Sequence, residues 1–198
     1  YTFLKNSSAP IQINQSQYLQ SLIDSGSTMM TFYGHAAGTS FDISTDAPEN
    51  YNNKGKYPVV LAQSCYVGDI FTTSKLLNER FVLTPDKAAI GFIAVPDKGI
   101  IEDLDSYSTE LHQQLFRTNY GKGVGVCMKN TVSTLMNANP GYKNVCMCMT
   151  MHGDPAINLN SYDLPDYSIT NSSVFFDPAV VTTELDSFKV KVAITNLG

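Results

Sequence analysis

The chain has 198 residues, of which 43% are hydrophobic and 16% charged, and its formal net charge is −5. This composition excludes disordered, collagen-like and coiled-coil chains and supplies enough apolar side chains for a core. The sequence has neither a cluster of lysine and arginine nor an apolar run long enough to span a bilayer, so we expect no nucleic-acid partner and no transmembrane segment.

Hydrophobic periodicity predicts that helices alternate with buried strands over residues 1–163. Apolar side chains recur at helical spacing in four segments, 16–25, 73–83, 108–117 and 125–136. Continuous apolar runs typical of buried strands occur at 28–33, 58–63, 88–95 and 145–151. The polar stretch at 38–56 predicts a long loop. This alternation predicts an α/β domain with a mostly parallel sheet covered by helices on both faces.

The periodicity changes to two in residues 164–198. Phe188, Val190, Val192 and Ile194 alternate with more polar residues, which predicts a half-buried antiparallel strand. Two or three such strands do not fold alone. We therefore expect residues 164–198 to be the first strands of a β-sandwich domain, and the chain to stop inside it.

The four cysteines differ in their surroundings. Cys127, Cys146 and Cys148 lie in apolar segments and are predicted to be small buried side chains. Cys146 and Cys148 would point to one face of the predicted strand about 7 Å apart, which disfavours a disulfide between them. Cys65 instead follows the end of the predicted strand 58–63.

A histidine and a cysteine follow the ends of two predicted strands. His35 comes after the strand 28–33 and Cys65 after the strand 58–63. Loops at the carboxyl ends of neighbouring parallel strands converge on one edge of the sheet, where ligands bind. An imidazole beside a thiol favours the thiolate or protonates a leaving amine, and nearby backbone amides stabilise an oxyanion. The spacing therefore favours a nucleophile and base pair. His112 lies in a predicted helix and His152 precedes a turn. Both positions favour structural roles for these histidines.

Several segments of the chain resemble the gingipain-like cysteine peptidases of the caspase-like clan. In chain order these segments are FYGHAAG (32–38), LAQSCYVGDIF (61–71), NERFVL (78–83) with KAAIGFIA (87–94), and MHGDPAINL (151–159). The resemblance implies a caspase-like fold for residues 28–160. It implies that His35 is the general acid/base and Cys65 the nucleophile, with the amides of Ala36 and Cys65 forming the oxyanion hole.

The resemblance also implies a substrate-binding region. Its expected members lie after three strands and are Gly34, Ser64, Ala94, Val95 and Pro96. Ala36 stands where the family usually has glycine. The family has further strands, an acidic third group and a specificity-determining acid before the histidine strand. Either an upstream segment therefore completes the sheet, or the chain is catalytically incomplete. Residues 186–198 look like the start of an immunoglobulin-like domain.

Three functions remain open from the sequence. The first is a cysteine endopeptidase that acts on a protein or peptide through a thioester. The second is a sortase-like transpeptidase of type IX secretion, and the third is a non-catalytic adhesion or scaffold module with a degenerate peptidase fold. The resemblance implies a secreted or bacterial cell-surface protein.

No cofactor and no catalytic metal is expected. Asp42, Asp46 and Glu49 lie in the loop after His35 and are interpreted as solvated surface. The alternatives are that this loop lines substrate subsites or holds a structural calcium ion.

Overall fold

A four-stranded sheet is the centre of the first of two units, which comprise residues 1–159 and 160–198. The computed structural model describes residues 2, 4, 13–41, 47–72, 75–160 and 167–196. The elements of the first unit are α1 (Ile13–Ser25), β1 (Met29–Tyr33), β2 (Ala36–Ala37), β3 (Ser40–Phe41), β4 (Val59–Gln63), α2 (Leu77–Leu83), β5 (Gly91–Ala94), α3 (Ile101–Gln113), α4 (Val124–Ala138), α5 (Lys143–Cys148) and β6 (Thr150–Gly153).

The sheet is mostly parallel, as the sequence predicts. Its strand order is β1-β4-β5-β6, with β1, β4 and β5 parallel and β6 antiparallel to β5. Every residue of β4 and of β5 is buried, which is the pattern of strands covered on both faces. The two central strands therefore anchor the loops that follow them.

Helices cover both faces of this sheet. On one face Val59, Leu61 and Ile93 belong to a core that includes the inner sides of α3, α4 and α5. On the other face Val60 and Phe92 pack in a core with side chains of α1 and α2. Neighbouring residues of one strand belong to opposite cores because strand side chains alternate between the faces. The predicted helix-covered α/β architecture is confirmed.

The predicted strand 145–151 is wrong over most of its length. Residues Lys143–Cys148 form α5, and the strand β6 begins only at Thr150. Cys146 and Cys148 therefore lie on a helix, where Cys146 is buried and Cys148 is partly exposed. A short apolar run does not distinguish a buried helix from a buried strand, and this explains the error.

The segment 38–56 is not wholly a loop. It contains β3, which pairs with β2 across a two-residue turn, and a single 3₁₀ turn at Pro48–Asn50. Both carboxylate oxygens of Glu49 accept hydrogen bonds from the Arg80 guanidinium, at 2.8 and 2.7 Å. Asp42 and Asp46 lie outside the described residues.

The second unit contains two small antiparallel ladders. Its strands are β7 (Tyr167–Ser168), β8 (Val174–Asp177), β9 (Lys189–Val192) and β10 (Thr195–Asn196), with β8 paired to β9 and β7 to β10. The antiparallel strand predicted near 188–194 is present as β9. Its predicted half-burial is wrong, because Phe188, Val190, Val192 and Ile194 are 46–60% exposed. No second layer covers β9 among the described residues. The immunoglobulin-like identity stays a prediction.

Candidate active site

The ends of β1 and β4 are held side by side. The two strands are parallel and in register, with Tyr33 opposite Gln63. Gly34 N donates to Gln63 O at 3.3 Å, and Ser64 Oγ donates to Gly34 O at 2.7 Å. His35 and Cys65 each follow the matched Tyr33–Gln63 pair by two residues. Since adjacent strands are about 4.8 Å apart, the register brings the strand ends that precede His35 and Cys65 to neighbouring points on one edge of the sheet.

The His35 side chain is exposed to solvent. None of the described residues forms a hydrogen bond with its ring, and the Cys65 sulfur is not among its partners. The imidazole is thus at the strand end that the sequence predicts, accessible from outside and free of any described polar contact.

The Cys65 thiol is partly exposed, and Gly99 is its hydrogen-bond partner among the described residues. Gly99 N donates to Cys65 Sγ at 3.4 Å, and the thiol donates to Gly99 O at 3.9 Å. Gly99 belongs to the segment between β5 and α3. No motif in the sequence marks Gly99 as a contact of Cys65.

The loop after Cys65 lies against the end of β5. Tyr66, which has a left-handed φ of 63°, donates its N–H to Asp97 O at 3.0 Å, and Gly68 N donates to Val95 O at 3.0 Å. A Cβ at Gly68 would lie 2.9 Å from backbone atoms of Ala94 and Val95. Only glycine permits this close approach, so the segments 65–68 and 95–99 run together as one unit.

The predicted oxyanion-hole amide of Ala36 lies at the start of the β2–β3 hairpin. Ala37 pairs with Ser40 across the two-residue turn and Ala36 pairs with Phe41. Pairs in an antiparallel ladder alternate between hydrogen-bonded and non-hydrogen-bonded, and the pair that closes the turn is the bonded one. The Ala36 N–H therefore points away from the hairpin and remains available as a donor.

The predicted substrate-binding residues differ in accessibility. Ser64, Ala94 and Val95 are at most 3% exposed, Pro96 is half-buried, and Gly34 is exposed. The Ser64 hydroxyl donates a hydrogen bond to the Gly34 carbonyl. Gly34 and Pro96 are thus the two predicted substrate-binding residues with accessible surface, whereas Ser64 holds the backbone just before His35.

A half-buried histidine lies near the loop that follows Cys65. The Nε2 of His152, in β6, lies 3.1 Å from Nδ2 of the fully buried Asn78. Burial lowers the pKa of His152, and the nearby backbone of Gly68 opposes this shift. The MHGDP segment in which it lies is the one sequence signal that marks this position.

His112 lies away from this edge. Its Nδ1 is 2.7 Å from Ser108 O, and its Nε2 is 3.3 Å from Thr31 Oγ1 on β1. These contacts join α3 to the outer strand of the sheet and agree with the structural role predicted for it.

The described residues contain no group of three or more histidine, cysteine, aspartate or glutamate side chains arranged to hold a metal. The Glu49 carboxylate is bound by Arg80, and this ion pair with a backbone contact lowers the pKa of Glu49. Calcium in the 42–49 loop stays a prediction, since Asp42 and Asp46 lie outside the described part of the chain.

The amino-acid sequence matches peptidase family C25 over residues 2–160. The chain belongs to this family. The gingipain-like resemblance inferred from the motifs is therefore confirmed, and the C25 match covers every predicted site residue. No curated protein sequence matches the chain.

Solved structures confirm the caspase-like fold. The chain resembles the Arg-specific cysteine proteinase gingipain R with a TM-score of 0.66 at 14% identity, covering 81% of this chain and 41% of that one. A complex of the Porphyromonas gingivalis RgpB pro- and mature domains gives a TM-score of 0.67 at 14% identity, covering 81% and 42%. A structure described as a protease gives 0.64 at 12% identity, covering 79% and 42%.

The C25 chain spans less than half the length of these solved proteins. Among the described helices, none combines the length and the apolar character needed to cross a bilayer.

Proposed function

We propose that this C25 chain carries the catalytic pair of a cysteine endopeptidase, with Cys65 as the nucleophile and His35 as the general acid/base. The observation that supports this most is the register of β1 and β4. It sets the two residues at equal distances beyond matched strand ends, and Ser64 ties those ends together.

The proposed reaction has two halves. His35 takes the proton of the Cys65 thiol, the sulfur attacks the scissile carbonyl carbon to form an S–C bond, and the C–N bond breaks as His35 passes that proton to the departing amine. Water then attacks the thioester and gives one proton to His35, the S–C bond breaks, and His35 returns the proton to the sulfur, so that the acyl group leaves as a carboxylic acid with the thiol restored. The exposure of His35 and the partial exposure of Cys65 leave both groups open to a peptide.

The developing negative charge on the carbonyl oxygen needs donors that are already in place. The Ala36 amide points out of its hairpin, and the Cys65 amide follows the buried Ser64. Such amides stabilise an oxyanion because they need no rearrangement during the reaction. In this proposal the extra methyl of Ala36, relative to the family's usual glycine, leaves the amide function unchanged.

The substrate is a protein or peptide whose backbone passes Gly34 and whose side chain before the scissile bond lies near Pro96. An upstream segment of the same protein completes the sheet beside β1, and the protein acts outside the cell or at the bacterial surface. Support for these points comes from the family and from the length of the solved relatives, one of which was solved as a complex of pro- and mature domains.

The direct test is to assay the full-length protein against a panel of fluorogenic peptides. We expect Cys65→Ala to abolish cleavage and His35→Ala to lower kcat/KM by about 10²-fold or more. Cys148→Ala is the matched control, because Cys148 is also partly exposed but lies on α5. Undiminished cleavage by the Cys65→Ala protein would exclude this assignment.

Product masses separate the two catalytic alternatives. Hydrolysis adds water to the acyl product, whereas a transpeptidase adds the amine that accepts the acyl group. A non-catalytic module would neither cleave the peptides nor label at Cys65 with a peptidyl electrophile.

A further inference from the structure

The segment 95–99 runs beside the loop Cys65–Gly68 and is joined to it by four hydrogen bonds. Val95 O accepts from Gly68 N, Asp97 O accepts from Tyr66 N, Gly99 N donates to Cys65 Sγ, and the Cys65 thiol donates to Gly99 O at 3.9 Å. The bond from Gly99 N is shorter, at 3.4 Å, and it is the one contact with the sulfur that a thiolate retains. Through it, the conformation of the 95–99 segment determines where the reacting atom lies.

Gly99 is held tightly between the sulfur and α3. A Cβ on Gly99 would lie 2.4 Å from Cδ1 of Leu104, and Leu104 is buried in the first turns of α3. Leu104 N donates to Ile100 O, which ties the helix start to the residue after Gly99. The amide of residue 99 is therefore directed at Cys65 by packing that leaves no room for a side chain.

We infer that the Gly99 N–H is a catalytic hydrogen-bond donor, which fixes the Cys65 sulfur and stabilises it as a thiolate for attack. This inference rests on the proposed role of Cys65 as the nucleophile. An N–H donor favours the charged form of its acceptor, and hydrogen bonds to charged groups are stronger than those between neutral groups. His35 has no described hydrogen bond to the sulfur. In this inference it protonates the leaving amine and takes a proton from the attacking water.

The test is the rate at which iodoacetamide alkylates Cys65 in the full-length protein, followed by mass spectrometry of the peptide that contains it. We expect Gly99→Ala to displace the backbone at residue 99, because its Cβ meets Leu104, and so to misalign the N–H of residue 99 with the sulfur. A bond to a charged group changes the thiolate population by about 10-fold or more. A more basic thiolate is also more nucleophilic, which offsets part of that change, so the net expectation is alkylation about 3- to 10-fold slower.

Leu104→Ala provides the rescue, because it removes the three atoms that would lie nearest to a Cβ at residue 99. The Gly99→Ala/Leu104→Ala protein should alkylate within about 2-fold of Leu104→Ala alone. A purely structural role for Gly99 predicts a lower melting temperature with no rescue of the alkylation rate. Gly99→Ala protein that is folded and alkylates as fast as the unchanged protein, or faster, would overturn the inference.

A second measurement does not depend on the folding of these variants. In protein labelled with ¹⁵N-glycine, the Gly99 amide proton should move upfield when Cys65 is replaced by alanine, while the exposed Gly55 amide stays unchanged. An unmoved Gly99 signal would contradict the bond to sulfur. Neither measurement requires peptide cleavage. If these measurements contradict the bond while cleavage still depends on Cys65, only the proposed role of Gly99 is excluded.

Discussion

The hydrogen bond from Ser64 to Gly34 is the contact that joins the two strand ends of the proposed active site. Ser64→Ala deletes the donor and leaves the Gly34 carbonyl without it. A typical hydrogen bond contributes about 0.5–1.5 kcal/mol net, and a buried acceptor left unsatisfied costs about 1–3 kcal/mol. Gly34 is exposed, so water replaces part of the lost bond and the lower values apply. We expect a loss of about 1 kcal/mol in the free energy of unfolding.

The effect on catalysis should exceed the effect on stability. A loss of 1 kcal/mol lowers the melting temperature of a chain of this size by about 2–4 °C. Misplacing one catalytic group by about 1 Å can cost about 10²-fold in rate. We therefore expect kcat/KM for fluorogenic peptides to fall by about 10- to 100-fold, with the melting temperature followed by circular dichroism.

The matched control is Ser21→Ala in α1. Ser21 Oγ also donates to a backbone carbonyl at 2.7 Å, but this bond is exposed and far from the site in sequence. Its removal should change stability by less than about 0.5 kcal/mol and leave kcat/KM unchanged. If Ser64→Ala lowers stability but preserves kcat/KM, the bond does not position His35 and Cys65, and the reasoning is refuted.

Three further predictions concern stability. The pKa of His152 is lowered in the folded protein, so on acidification the unfolded chain binds a proton at this residue before the folded protein does. The free energy of unfolding should therefore fall as the pH drops below about 6.5. In urea titrations at pH 7.5 and 5.5, the free energy of unfolding of His152→Gln should depend less on pH than that of the unchanged protein. Gly68→Ala should lower the free energy of unfolding by about 1–3 kcal/mol, because the new Cβ would meet backbone atoms. This loss should exceed that of Gly55→Ala, whose Cβ would meet open space although its φ is positive. Equal losses of stability in thermal melts would contradict the close packing at Gly68. Arg80→Lys keeps the charge but loses the two-point contact with Glu49, so it should cost under about 1 kcal/mol at pH 7 and less as the pH falls toward the lowered pKa of Glu49. A cost of the same size in the Glu49→Gln protein would disprove the ion pair as its cause.

The parts of the fold that the sequence predicts correctly are those with a strong local pattern. The runs at 58–63 and 88–95 contain β4 and β5, because buried parallel strands leave no polar alternation. The sequence also indicates where α1 ends, because a glycine commonly follows the last residue of a helix. Gly26 has a φ of 107°, and its N–H donates to carbonyls of the last turn of the helix.

The parts that the sequence does not predict depend on tertiary contacts. The apolar run around Cys146 fits a helix as well as a strand, and only packing against α3 and α4 decides between them. Gly99 has no motif of its own, because its relation to Cys65 arises from the pairing of two loops 34 residues apart. For His35 and Cys65 the sequence is informative because each follows a strand, and the register of those strands supplies the rest.

Trapping the acyl-enzyme tests the central claim most directly. The full-length protein is mixed with a peptide ester, quenched in acid within milliseconds to seconds, digested, and analysed by mass spectrometry. The account predicts an acyl group on the peptide that contains Cys65, which hydroxylamine removes and which is absent from Cys65→Ala protein. An acyl group on a different residue, or turnover with no acyl group on Cys65, would contradict it.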